Sequence, residues 1–376
     1  MAGLYVHIPF CASRCIYCGF YSTTQHTMHD RYVDALCKEM EIRAAESGCR
    51  QNISTVYLGG GTPSQLSADN IRRLFTYIYK VYDIDSDAEV TMECNPDDIV
   101  EGMFDGTPVN RVSMGIQTFC DQRLKFLHRR HTSRQATRSV DWLRRMGIEN
   151  ISIDLMFGFP QQTLKEWEYD ISKALELQPE HISAYSLMYE DGTPLAMMRD
   201  NGKICEIDEE MSLAMYGRLI DRLTANGYEH YEISNFAKRL NNTKGSQAMR
   251  SRHNSSYWHD IPYIGIGAAA HSYDKKTRSW NIADIKEYME GIERNTRRAE
   301  FETIDDDTHY NDIVTTAMRT CEGIDIRNLQ PKYRDHIVKA SKQLIDNNFL
   351  SFNGSYLSLT RKGLYVSDMV MAELIY

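Results

Sequence analysis

Along the first two-thirds of the chain, short apolar runs alternate with longer stretches in which apolar residues recur every three or four positions. The runs at 4–8, 55–58, 89–92, 111–115, 151–155 and 182–187 are rich in β-branched and apolar residues, the pattern of strands buried on both faces. Between them, Val33, Leu36 and Met40 set a helix over 31–45. Ile71, Leu74, Phe75 and Ile78 set another over 71–79, with Ser67 or Asp69 available as its cap. Ser133 is placed to cap a helix running through Val140 and Leu143 to Met146, with Gly147 just beyond its end. Thr163 and Glu166 make a capping box for a helix that stops before Pro179. Six strand–helix units in series predict an α/β fold with a parallel sheet, curved or barrel-like.

The second half reads differently. Residues 208–226 predict a helix closed by Gly227, and 228–236 a strand. Residues 240–252 are polar with almost no apolar anchor, and read as a mobile surface loop. From Phe301 the pattern turns helical: Asp305 or Asp307 caps a helix to Cys321, and 333–347 is a second. Runs at 350–352 and 356–359 around Asn353-Gly354 predict a hairpin, with a last helix from Thr360. The expected parts are a barrel over 1–236, a connecting segment over 237–300 and a mostly helical, winged-helix-like module over 301–376.

The 376 residues are 42% hydrophobic and 25% charged, which excludes a disordered tail, a collagen-like fibre and a membrane bundle. No apolar run approaches the ~18 residues of a spanning helix, so any membrane contact is expected to be peripheral. Met1 leads almost directly into a strand-like run, and no secretory signal is expected. A net charge of -9 argues against a nucleic-acid partner. The C-terminal module carries eight Lys and Arg against eleven Asp and Glu, so a DNA-reading wing is not expected there. Of nine cysteines, Cys37, Cys49, Cys94, Cys120, Cys205 and Cys321 are scattered singly, which fits a reducing cytoplasm rather than a disulfide framework.

The other three, Cys11, Cys15 and Cys18, stand in one loop after the first strand. Three thiolates can share a metal or a cluster. Zinc normally takes four ligands, and only His26 and His29 offer themselves nearby. Three thiolates on a [4Fe–4S] cluster leave one iron open to a small molecule. Polar residues also end successive strands: Gly59-Gly60-Gly61-Thr62-Pro63, Glu93, Gln117 and Asp154. The C-terminal ends of barrel strands form the functional face.

The Cys-x-x-x-Cys-x-x-Cys spacing resembles that of the radical S-adenosylmethionine (SAM) superfamily. The resemblance implies a partial (β/α)6 barrel, a cluster whose open iron chelates SAM, and cleavage of SAM to a 5′-deoxyadenosyl radical. Tyr5-Val6-His7-Ile8-Pro9-Phe10-Cys11, the Gly-rich motif, Glu93, Gln117, Arg129 and Asp154 resemble the oxygen-independent coproporphyrinogen III oxidase group. That resemblance covers essentially the whole chain. It implies a SAM site built from Tyr5, Phe20, Gly60, Gly61, Thr62, Glu93, Gln117, Arg129 and Asp154.

Within that group two branches differ. The oxidases have a further cysteine two residues after the third; here that position is Phe20. The second branch, heme chaperones, has Phe there and a His-Asn-x-x-Tyr-Trp signature. This chain has His253-Asn254-Ser255-Ser256-Tyr257-Trp258 and a similar Gly-rich segment ending at His271. The resemblance therefore implies a heme carrier with SAM and a cluster, delivering heme to an acceptor hemoprotein. Heme iron takes imidazole as an axial ligand, and aromatic rings cover its faces, so His253, Tyr257 and Trp258 are the heme candidates. The oxidase itself is the alternative, and a regulatory protein that merely carries a cluster is a third.

Overall fold

The structure, a computed structural model, describes residues 2–47, 50–240 and 248–376. Residues 241–247 of the expected loop lie outside the described residues, as does Cys49.

Six strands form the parallel half of one sheet in sequence order: β1 (Ala2–Ile8), β2 (Asn52–Gly60), β3 (Asp83–Cys94), β4 (Arg111–Gln117), β5 (Asn150–Phe157) and β6 (His181–Ser186). Their facing rows are chemically opposite. Leu4, Val6, Ile8, Val56, Leu58, Val90, Met92, Val112 and Met114 belong to the main apolar core. The helices His29–Ser47 and Ala68–Val81 add Val33, Leu36, Met40, Ile71, Leu74 and Ile78 to it. The alternate row is polar. Tyr57 bonds to Glu93, Ser113 to Asp154, and Ser152 to His181. The strands were expected to be apolar on both faces; the interior is instead a hydrogen-bonded polar column, with apolar residues packing outward under the helices.

Helix ends follow the side-chain chemistry. Ser67 accepts from Asn70 N and caps Ala68–Val81. Thr163 and Glu166 form the expected box. The helix Ser133–Arg145 is capped by Thr132, not by Ser133, because Gln135 completes a reciprocal box with Thr132.

The sheet continues on both sides. Residues 228–236 are not one strand: β7 (Tyr228–Glu232) turns into β8 (Asn235–Lys238), because Glu232 Oε2 accepts from Ser234 N at 3.0 Å and Asn235 Nδ2 at 2.6 Å. Between 237 and 300, expected to be a connector, β9 (Tyr263–Ile266) pairs parallel with β1. β10 (His271–Tyr273), β11 (Thr277–Asn281) and β12 (Ala299–Thr303) extend that flank antiparallel. The result is a twelve-stranded sheet with β1 to β6 at its centre.

A second apolar core gathers Tyr310, Val314, Ile337, Leu344, Leu350, Leu357 and Val370. It joins the helices Asp306–Ala317 and Pro331–Asp346 to the three-stranded sheet of β13 (Ile324–Asp325), β14 (Leu350–Phe352) and β15 (Tyr356–Leu359). The final helix is broken into Arg361–Leu364 and Ser367–Leu374. No helix among the described residues is long and apolar enough to cross a membrane.

Candidate cluster and cofactor site

A cavity of about 660 Å³ opens at the C-terminal ends of the central strands. Cys11, Cys15 and Cys18 form one wall, followed by Phe20 at the mouth. Gly60, Gly61 and Thr62 come from the end of β2, and Glu93, Gln117 and Asp154 from β3, β4 and β5. Arg129 completes the set.

The cysteine loop is fastened at several points. Thr23 N donates to Pro9 O at 2.7 Å, and Cys11 N to Thr23 O at 2.9 Å, closing the loop on its own stem. Ile16 N donates to Leu127 O, while Ile16 O accepts from Leu195 N. His7 holds Tyr21 O through Nε2 at 3.1 Å. Thr62 Oγ1 donates to Cys11 Sγ at 3.6 Å, and Arg129 Nη1 to Cys15 Sγ at 3.5 Å. Burial pushes the Cys11 and Cys18 thiols up from their ordinary range, a cost that bonding to a metal centre removes. Sulfurs around one zinc, at ~2.3 Å each, would crowd within about 4 Å of one another. Among the described residues no three such side chains converge on a single ion. Three thiols on one loop match the ligand set of a [4Fe–4S] cluster with one open iron.

Backbone geometry shapes the opposite wall. Gly60 has φ +109°, and a Cβ there would stand 2.3 Å from the His7 ring. A Cβ on Gly61 would stand 2.7 Å from the Pro9 carbonyl carbon. Glycine is required by this close approach of the β2 end to β1. Gln117 lies at φ 68°, where β4 bulges out of register with β5. The buried Asp170 holds that bend, accepting from Thr118 Oγ1 at 2.7 Å and Phe119 N at 2.8 Å.

The carboxylates sit deep on the floor. Burial raises Glu93 to about 7, although Tyr57 OH donates to it at 2.7 Å and Gly60 N at 3.1 Å. Burial raises Asp154 to about 6, with Ser113 Oγ donating at 3.4 Å. Arg129 Nη2 is fixed by Gly115 O at 2.6 Å and Asn95 Oδ1 at 2.7 Å. The arrangement offers anionic and carbonyl acceptors beside three thiols, suited to a small ligand with both cationic and polar ends. Sequence reasoning passed over Ser113, Tyr57 and Asn95. The first two share the inward row with Gly115 and Gly59, so a two-residue period pointed to them.

Four expected residues are elsewhere. Tyr5 is not on the cavity wall; it stacks on Tyr57 and His253 and bonds His7 Nδ1 at 3.0 Å. The heme candidates form the helix Arg252–Trp258, which plugs the far end of the interior. Its N-terminus is capped by Ser251, and Glu89 accepts from Arg252 N and His253 N. His253 is 1% exposed. Its Nδ1 bonds Thr55 Oγ1 and its Nε2 bonds Tyr257 OH, both at 2.8 Å. Both ring nitrogens are thus engaged within the fold. Tyr257 is spent on the same bond, and Arg319 covers the Trp258 ring at 5.2 Å.

The profile of the radical SAM superfamily matches residues 5–174, and that of the HemN C-terminal domain matches 304–366. The heme chaperone HemW of Bacillus subtilis (strain 168) is 33% identical over 385 residues, covering 100% of this chain and 99% of that one. The chain belongs to the HemW family. HemW of Lactococcus lactis subsp. lactis (strain IL1403) is 32% identical over 99% of this chain and 96% of its own. HemW of Escherichia coli (strain K12) is 34% identical over 71% and 69% respectively. Among solved structures, coproporphyrinogen III oxidase (HemN) from Escherichia coli superposes with a TM-score of 0.83 at 22% identity, covering 100% of this chain and 90% of that one. That likeness establishes the partial barrel with its C-terminal module as a fold this chain shares with HemN.

Proposed function

We propose that this protein binds heme and passes it to an acceptor hemoprotein, on a scaffold that holds a [4Fe–4S] cluster and SAM. The observation that carries the reading is the end-to-end match to proteins named as heme chaperones. Phe20 supports it: the cavity mouth bears a phenyl ring, 71% exposed, where the oxidase resemblance implies a further cysteine.

Cys11, Cys15 and Cys18 would hold the cluster, and the cavity beside them would take SAM. When bound, the cluster supplies an electron and an iron open to chelation. The chain's own groups do the rest. Glu93 and Asp154 present carboxylates to the cationic groups of SAM, and the Gly60-Gly61-Thr62 backbone admits it closely. Arg129, tied to Gly115 O and lying against Cys15 Sγ, keeps strand end and cysteine loop at fixed separation. Exposed Phe20, Met188 and Tyr185 give the mouth an apolar rim, the kind of surface a macrocycle covers.

The test is an anaerobic heme titration of the cluster-reconstituted protein, followed by Soret absorption. Saturation near one heme per chain, then transfer to an apo-hemoprotein, is expected. Absence of saturable binding, together with turnover of coproporphyrinogen III, would overturn the reading.

A further inference from the structure

The inward row of β4 begins with Arg111, 1% exposed, two positions below Ser113. Its Nε is buried without a hydrogen-bond partner. The residue facing it in register on β3 is Thr91, whose Oγ1 is also buried without a partner. A buried unpaired charge burdens a fold, and an apolar side chain of similar volume is often better tolerated. Arg111 therefore acts on something at a distance.

The groups around it say what. One rung up, Glu93 aligns with Ser113 across β3 and β4, and Ser113 donates to Asp154 on β5. Two cavity carboxylates thus flank the strand that carries the guanidinium. Below and beside it are His181 on β6 and His253 on the plug helix, both held neutral by burial, and the phenols Tyr57 and Tyr231. Glu93 further faces Tyr5 and Tyr257, and Asp154 faces Ser183, Tyr185 and Arg129. Arg129 is already engaged by Gly115 O and Asn95.

We propose that Arg111 is a positioning residue of the cavity: its buried guanidinium, held short of contact, favours the ionised over the protonated forms of Glu93 and Asp154, readying them for a cationic ligand. This rests on the reading that the cavity takes SAM, whose sulfonium and ammonium groups need anionic partners. Burial already lifts the two carboxyls to about 7 and about 6 with Arg111 opposing it. Removing that charge shifts both carboxyls toward the protonated form.

The test compares Arg111→Met, Arg111→Gln and Arg111→Lys in the full chain with its cluster. Infrared titration follows the protonated-carboxyl stretch, assigned with Glu93→Gln and Asp154→Asn. In the neutral variants the midpoints should rise by about one pH unit or more, tenfold in proton affinity, while Arg111→Lys stays near wild type. SAM affinity of the neutral variants should fall about tenfold at pH 7, following that shift, and recover at pH 9. Unmoved midpoints overturn the proposal. So does failure of both neutral variants to fold, since that assigns Arg111 to the fold alone. If the midpoints move as stated but wild type binds no SAM, the SAM reading falls and the role of Arg111 in ionisation stands.

Discussion

Single side chains around the cavity have few, identifiable partners, which makes their removal readable. Cys15 touches Arg129 and lines the cavity without supporting either apolar core. Cys15→Ala should abolish the iron content and colour of the reconstituted protein while circular dichroism stays unchanged; retained iron would contradict the ligand assignment. Asp170 is different, because two donors depend on it. Asp170→Asn should lower stability by ~1–3 kcal/mol in urea unfolding, as expected when buried donors lose a carboxylate, and weaken SAM binding by releasing Gln117. Much of the cavity was legible in sequence because its residues end strands: Gly60, Glu93, Gln117 and Asp154 all reach the cavity wall. Tyr5, nearer the start of its strand, stacks on Tyr57 and His253 a layer below the cavity wall. Asp170 was hidden because a mid-helix aspartate carries no local sign of the loop it holds.

At the scale of elements, the plug helix shows how a sequence motif is built into the fold. His253 and Tyr257 are four residues apart, so one helical turn places them side by side, and their hydrogen bond uses up the imidazole. Burial lowers His253 to about 3, with Arg111 contributing. The unfolded chain takes up a proton near pH 6.5, the folded chain does not, so the stability this group lends is lost as pH falls below 6.5. The stability gap between wild type and His253→Gln should therefore be largest at neutral pH. It should shrink by about 1.4 kcal/mol per pH unit on acidification; a gap independent of pH would show that the imidazole is not neutral and buried. Heme affinity should be the same in both proteins. The strand hairpin at 228–238 escaped sequence reading for a related reason: its turn is made by Glu232 folding back on Ser234 and Asn235, not by a glycine or proline signal.

For the whole molecule, the alternation of six strands and helices was enough to give the parallel sheet, because local periodicity and capping agree there. It could not give the flanks, since β9 joins β1 with Tyr263 facing Gly3, and nothing local marks a strand for so distant a neighbour. The same connection ties the cysteine loop to late sequence: Tyr21 OH accepts from Ile285 N at 2.6 Å, and Tyr32 OH from Ala268 N at 2.9 Å. A chain truncated after Phe236 should expose the β1 edge, aggregate and retain little iron on reconstitution; a soluble, fully loaded fragment would contradict this. During synthesis, β1 and the three thiols emerge first, and the second strand beside β1, β9, is made only after β1 to β8. At ~5–20 residues per second, the loop waits roughly 13–50 s on the ribosome without it. For that interval the three thiols stand on a loop that has only one of the two strands that will flank its stem.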